Sequence, residues 1–215
     1  MQVAIPLYDR ITALDAVGPY QVLGMLPGIR IVHVGARTGT VRTELGSLGL
    51  VVDATFDEVG APDIVLVPGG PGAREHLSGG PLMDWLRAVD PGTTWTTSVC
   101  TGSLVLAAAG LLTGRRATTH WSSRNLLTEL GATAVTERVV FDGKYVTAAG
   151  VSSGIDMALS LAGRIAGEPA ARAVQLGIEY DPQPPFDSGA LEKASDEVVQ
   201  TLRDLVAARR DAVRS

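Results

Sequence analysis

The stretch Trp95-Thr96-Thr97-Ser98-Val99-Cys100-Thr101-Gly102-Ser103-Leu104-Val105-Leu106 runs from a β-branched, strand-like segment directly into a helical pattern, with the chain's single cysteine at the join. A strand that turns sharply into a helix holds its turn residue exposed above the sheet edge, where the free N–H groups of the first helical turn favour negative charge. A thiol there is expected to ionise more easily, and the thiolate is the reactive form. A cysteine without such context is ordinarily a small buried hydrophobe. The strand, turn and helix around Cys100 favour a nucleophile instead.

Working outward, short β-branched runs alternate with helical patterns. Strands are expected near Val3–Tyr8, Arg30–Gly35, Ile64–Val67 and Thr96–Val99, and helices near Pro19–Leu26, Leu82–Ala88 and Ser103–Ala109. Such alternation predicts a parallel sheet covered by helices on both faces. The segment Thr40–Thr55, with Gly46 and Gly49 between Val/Leu-rich runs, interrupts the rhythm as a hairpin or paired edge strands. Asp142-Gly143 between Val139-Val140-Phe141 and Lys144-Tyr145-Val146 predicts a hairpin with a type I′ turn. Two more helices are expected at Ile155–Ala166 and Pro169–Gly177. The passage Tyr180-Asp181-Pro182-Gln183-Pro184-Pro185-Phe186 cannot be regular helix or central strand, and a charged amphipathic helix follows near Ser195–Arg209. With 215 residues and no low-complexity stretch, the expectation is one domain spanning residues 1–215.

Composition narrows the function classes. Lys and Arg number 18 against 23 Asp and Glu, and neither sign gathers into a block that would track a phosphate backbone, so nucleic acid is not an expected partner. Met1–Tyr8 has no basic leader and reads as a first strand; no apolar stretch is long enough to span a bilayer, so no membrane partner is expected either. One cysteine forms no intramolecular disulfide, and a free thiol fits a reducing cytoplasm.

Two further segments converge on the same chemistry. Val65-Leu66-Val67-Pro68-Gly69-Gly70-Pro71-Gly72 is a strand followed by a glycine turn whose N–H groups a ligand can approach closely. In a doubly wound sheet, the loops at the carboxyl ends of neighbouring strands converge. The Gly69 and Gly70 amides, with that of Thr101, are therefore expected to face an atom bonded to the Cys100 sulfur. Asp15, between Leu14 and Ala16-Val17, reaches the same edge from the first βα loop. It reads as the cap of a helix starting at Pro19, as one member of a capping box with Thr12, or as the acid/base partner of Cys100. Burial beside a thiolate raises a carboxyl's pKa while a helix start lowers it. Of His33, His76 and His120, only His120 in Thr118-Thr119-His120-Trp121 is placed for the site, as a packed residue behind it or as an acid/base group. No spacing of His, Cys, Asp and Glu suggests a metal, and no GxGxxG or P-loop pattern suggests a nucleotide, so no cofactor is expected.

These segments resemble the ThiJ/PfpI branch of the class I glutamine-amidotransferase-like superfamily over nearly the whole chain. The resemblance implies a flavodoxin-like, doubly wound, mostly parallel α/β sheet with a nucleophile elbow. Leu14–Pro19, Ser98–Leu106, Arg116–Trp121, Glu137–Val140, Gly154–Asp156 and Glu179–Phe186 together are similar to the isocyanide hydratases of that branch. PfpI-type proteases place His directly after the nucleophile, where this chain has Thr101. Amidotransferases need a late His, and none follows His120; many other relatives carry Glu where Asp15 stands. Regulators sharing the Cys-Thr-Gly and Thr-Thr-His-Trp strings continue into a helix-turn-helix domain, which this sequence does not reach.

The resemblance implies a hydro-lyase that adds water to a small apolar isocyanide and yields an N-substituted formamide. Cys100 would be the nucleophile, Asp15 the acid/base and Thr101 an assisting residue. It also implies a homodimer with the site near the subunit boundary and Pro182–Phe186 as a candidate strap. Two other readings stay open on the sequence: a glyoxalase or deglycase acting on reactive dicarbonyls, and a non-catalytic sensor in which Cys100 is oxidised or binds a metabolite.

Overall fold

The computed structural model describes residues 1–214 and divides them into two compact units, Met1–Glu179 and the residues from Tyr180 onward. The first is built on a seven-stranded sheet: β1 (Gln2–Pro6), β2 (Arg30–Gly35), β5 (Ala54–Thr55), β6 (Ile64–Val67), β7 (Trp95–Val99), β10 (Val139–Asp142) and β11 (Tyr145–Ala148). Its order is β10-β11-β7-β6-β1-β2-β5, parallel except for the β10–β11 pair. All four residues of β6 and of β11 are buried, as in a sheet covered on both faces. The helices are α1 (Ala13–Leu23), α2 (Pro81–Val89), α3 (Gly102–Ala108), α4 (Arg124–Glu129), α5 (Ser153–Ala166) and α6 (Glu168–Gly177). This is the helix-covered parallel sheet expected from the alternation, in the flavodoxin-like, doubly wound form that the resemblance implies.

Strand order reverses around β1: β2 lies on one side and β6, which follows later in the chain, on the other. Open α/β sheets bind ligands at such a switch point, beyond the carboxyl ends of the strands. Asp15 follows β1, Gly69 follows β6 and Cys100 follows β7, so the topology brings the three to one edge.

Two local details differ from expectation, the start of α1 and the turn of the β10–β11 hairpin, while the Thr40–Thr55 segment forms the hairpin expected of it. The first helix starts at Ala13, and Pro19 sits inside it; tertiary packing of Ala16, Gly18, Pro19, Val22 and Leu23, all buried, offsets the hydrogen bond that proline removes. The segment Thr40–Thr55 separates into a two-stranded hairpin, β3 (Gly39–Arg42) with β4 (Gly49–Val52), and the edge strand β5. In the β10–β11 hairpin Asp142 pairs with Tyr145, so Gly143 and Lys144 form the turn, and only Gly143 has a positive φ, 61°. That pattern belongs to a type II′ turn with its leading glycine, not the I′ turn. A short parallel pair, β8 (Arg116–Ala117) with β9 (Thr133–Ala134), completes the unit.

The second unit carries no helix or strand over residues 180–186 and then forms α7 (Asp196–Arg214).

The elbow depends on close backbone approach. A Cβ at Gly102 would lie 2.0 Å from the Val67 carbonyl oxygen, so the first turn of α3 abuts the end of β6. Gly102→Ala is expected to destabilise the fold by about 3 kcal/mol, since the obstruction is backbone and cannot rotate away. Thermal unfolding should show a Tm lowered by roughly 5–10 °C.

Candidate active site

Cys100 is a non-glycine residue held in the left-handed region at φ 56°, the strained geometry of a strand-to-helix elbow. Its backbone is tied on every side. The N–H donates to Ala148 O at 3.1 Å and Ala149 O at 2.9 Å at the end of β11. The carbonyl accepts from Ser103 Oγ at 3.1 Å and Thr119 Oγ1 at 3.0 Å. These bonds over-determine a conformation that would otherwise relax.

Asp15, fully buried, does not cap its helix. Thr12 is the N-cap and makes no side-chain cap bond, whereas Asp15 Oδ2 accepts from the Gly69 N–H at 2.9 Å across 54 residues of sequence. Its other oxygen, Oδ1, has no hydrogen-bond partner among the described residues. The carboxyl pKa is pushed up from 3.8 to about 7, chiefly by burial; the Gly69 N–H lowers it, Glu44 raises it and the Cys100 thiol lowers it again. The Cys100 thiol in turn is pushed up to about 12, by burial first and by the Asp15 charge second. Backbone N–H groups of Thr101 and Val151 and the Thr101 hydroxyl act on the sulfur in the opposite direction.

That corrects the expectation of an easily ionised thiol. The Cys100 residue is only 5% exposed, and desolvation together with a neighbouring carboxyl outweighs the N–H groups at the elbow. At rest the sulfur holds its proton, and the carboxyl able to take it adjoins the sulfur. The two titrate as a coupled pair.

The glycine turn also differs from the expectation that its amides, with that of Thr101, face an atom bonded to the Cys100 sulfur. The Gly69 N–H is committed to Asp15, and the Gly70 N–H donates to Thr101 Oγ1 at 2.9 Å, with the Thr101 hydroxyl 3.2 Å from Gly70 O. The turn thus fastens the acid and the elbow to one another. Gly69 must be glycine because a Cβ there would lie 2.5 Å from Thr101 N; Gly70 adopts φ 129° and abuts Thr12 N. Of the three amides expected to cradle charge, only that of Thr101 is directed at the sulfur. The second is supplied by Val151, just ahead of α5, which nothing in its sequence context marks.

His120 sits behind the site. Its Nδ1 shares a hydrogen bond with Ser122 Oγ at 2.8 Å, and burial lowers its pKa, with Arg124 lowering it further. A Cβ at Gly150 would lie 2.9 Å from its Cδ2, so the ring packs on the loop that carries Val151. Tyr8 is a further residue of the site. Its hydroxyl donates to Pro68 O at 2.5 Å, and burial, Asp15 and Cys100 together raise its pKa well above the usual tyrosine value. Among the described residues, no group of three or more His, Cys, Asp or Glu could hold a metal ion, and no helix is long and apolar enough to cross a membrane.

A cysteine elbow paired with a buried carboxyl at the switch point of a doubly wound sheet defines a class of α/β proteins. Within it, this chain belongs to the DJ-1/PfpI family, whose model matches residues 1–164. Isonitrile hydratase of Pseudomonas putida is 42% identical over 203 residues, covering 94% of this chain and 89% of that protein. The crystal structure of a ThiJ/PfpI family protein from Pseudomonas syringae superposes with a TM-score of 0.91 at 36% identity, over 98% of this chain and 89% of that one. The transcriptional regulator CdhR of Pseudomonas aeruginosa is 39% identical over 104 residues, which is 47% of this chain and 29% of the regulator.

Proposed function

We propose that this protein is an isocyanide hydratase, a hydro-lyase converting a small apolar isocyanide and water to an N-substituted formamide. The observation that carries the reading is the 42% identity, over 94% of the chain, to an isonitrile hydratase, isonitrile being another word for isocyanide. The juxtaposed thiol and carboxyl suit the reaction, because the terminal carbon of R–N≡C must receive a nucleophile and a proton at the same atom.

In the mechanism we infer, Asp15 takes the Cys100 proton as the sulfur attacks the terminal carbon, and returns it to that carbon, giving the thioimidate Cys–S–CH=N–R. Asp15, ionised again, deprotonates a water as it adds to this carbon and passes the proton to nitrogen. The hydroxyl proton of the resulting tetrahedral adduct then moves to Asp15 while the C–S bond breaks and the formamide C=O forms. Asp15 finally reprotonates the departing thiolate. The N–H groups of Thr101 and Val151 stabilise negative charge on sulfur as it forms and leaves. Gly69 and Gly70 act through Asp15 and Thr101, and His120 supports the Val151 loop.

The proposal extends to a cytoplasmic homodimer. Leu14, Val17 and Tyr20, exposed apolar residues on the helix that carries Asp15, support a subunit boundary beside the site.

The test is to incubate purified protein with an aryl isocyanide, follow its absorbance and identify the product by mass. Formamide at the mass of substrate plus one water supports the reading. No turnover by protein with intact, reduced Cys100 would overturn it, and lactate from methylglyoxal in a parallel reaction would replace it with the dicarbonyl reading.

A further inference from the structure

The loop between β3 and β4 brings a second carboxylate to the site. Thr43 bridges to Ile11, and the Glu44 N–H donates to Ile11 O at 3.0 Å. The next residue, Thr12, donates its N–H to Gly69 O at 2.9 Å, and Gly69 returns its own N–H to Asp15 Oδ2. Three loops are therefore laced together by backbone bonds, and the Glu44 side chain is carried to the neighbourhood of Asp15.

Glu44 Oε2 is buried and, among the described residues, has no hydrogen-bond partner; Asp15 Oδ1 is in the same condition. Two buried carboxyl oxygens without partners in neighbouring loops are costly unless a proton can be placed on or beside them. Tyr8, which also faces Asp15, cannot supply it, since its hydroxyl donates to Pro68 O. The remaining titratable group facing Asp15 is the Cys100 thiol.

We propose that Glu44 is a positioning residue for the reaction: its carboxylate beside Asp15 draws the Cys100 proton onto Asp15 when the sulfur attacks. The laced loops carry Glu44 toward Asp15, and a second carboxyl there raises the proton affinity of Asp15. The inference rests on the acid/base role given to Asp15 above.

The experiment titrates the Asp15 carboxyl by infrared difference spectroscopy, with Asp15→Asn assigning the band, and measures kcat for an aryl isocyanide across pH. In Glu44→Gln the Asp15 midpoint is expected to fall by about half a pH unit, with kcat on its plateau down about threefold and KM little changed. Glu44→Asp, which keeps the charge, should recover much of both. A midpoint unmoved in Glu44→Gln overturns the proposal even if activity drops, because a merely structural role would give that result. If the midpoint moves but Asp15→Asn retains full turnover, the failure lies in the role of Asp15, and the use of Glu44 in the reaction falls with it.

Discussion

Replacing Cys100 with alanine is expected to reduce isocyanide turnover to the uncatalysed background while leaving the fold in place. Alanine carries the same Cβ into the left-handed backbone at position 100, and the four hydrogen bonds that hold the backbone there are kept. The variant thus removes a sulfur and little else. Circular dichroism and thermal unfolding close to wild type, beside absent turnover and no covalent adduct by mass spectrometry, would identify the nucleophile. Residual turnover above background would mean that water is activated without a covalent intermediate.

Asp15→Asn is expected to lose at least about a hundredfold in kcat/KM, the scale of a general acid–base group. Two accompanying changes go the opposite way. Removing the Asp15 charge lowers the thiol pKa, so iodoacetamide should alkylate Cys100 faster at pH 8 in the variant than in the wild type. Stability should rise as well. The Asp15 carboxyl has a pKa of about 7 in the folded protein and an ordinary 3.8 when unfolded, so the folded form binds its proton more tightly. Its contribution to stability is full below pH 3.8 and falls, by up to about 4 kcal/mol in all, as pH rises through 7. Asparagine carries no charge to bury and keeps an oxygen for the Gly69 N–H. A variant with a more reactive thiol, a higher Tm at pH 8 and no catalysis would show that Asp15 is retained for moving protons. Full activity would remove it from the chemistry.

The sequence made the strand–cysteine–helix junction and the alternation of elements readable because both are local: a β-branched run, a turn and an apolar helical face lie within a dozen residues. The start of α1 was less readable. Proline is a common first residue of a helix, and only the packing of Ala16, Gly18 and Val22 shows why Pro19 lies inside one. The meeting of Asp15 with Cys100 followed from topology. The binding of Asp15 by Gly69 did not, since capping and a long-range bond use the same carboxylate and differ only in tertiary contact. The sign of the Cys100 shift was likewise hidden, because the desolvation that decides it is a property of the assembled pocket. Val151 acts through its main chain, which any residue provides, and Glu44 reaches the site through a hairpin whose register no local signal specifies.

The protonated resting state of Cys100 bears on how long the protein lasts. Peroxide attacks thiolates, and a sulfur whose pKa burial and the Asp15 charge push up offers peroxide little of that form. An idle molecule is thereby less open to the sulfinate and sulfonate steps than one whose cysteine rests as a thiolate.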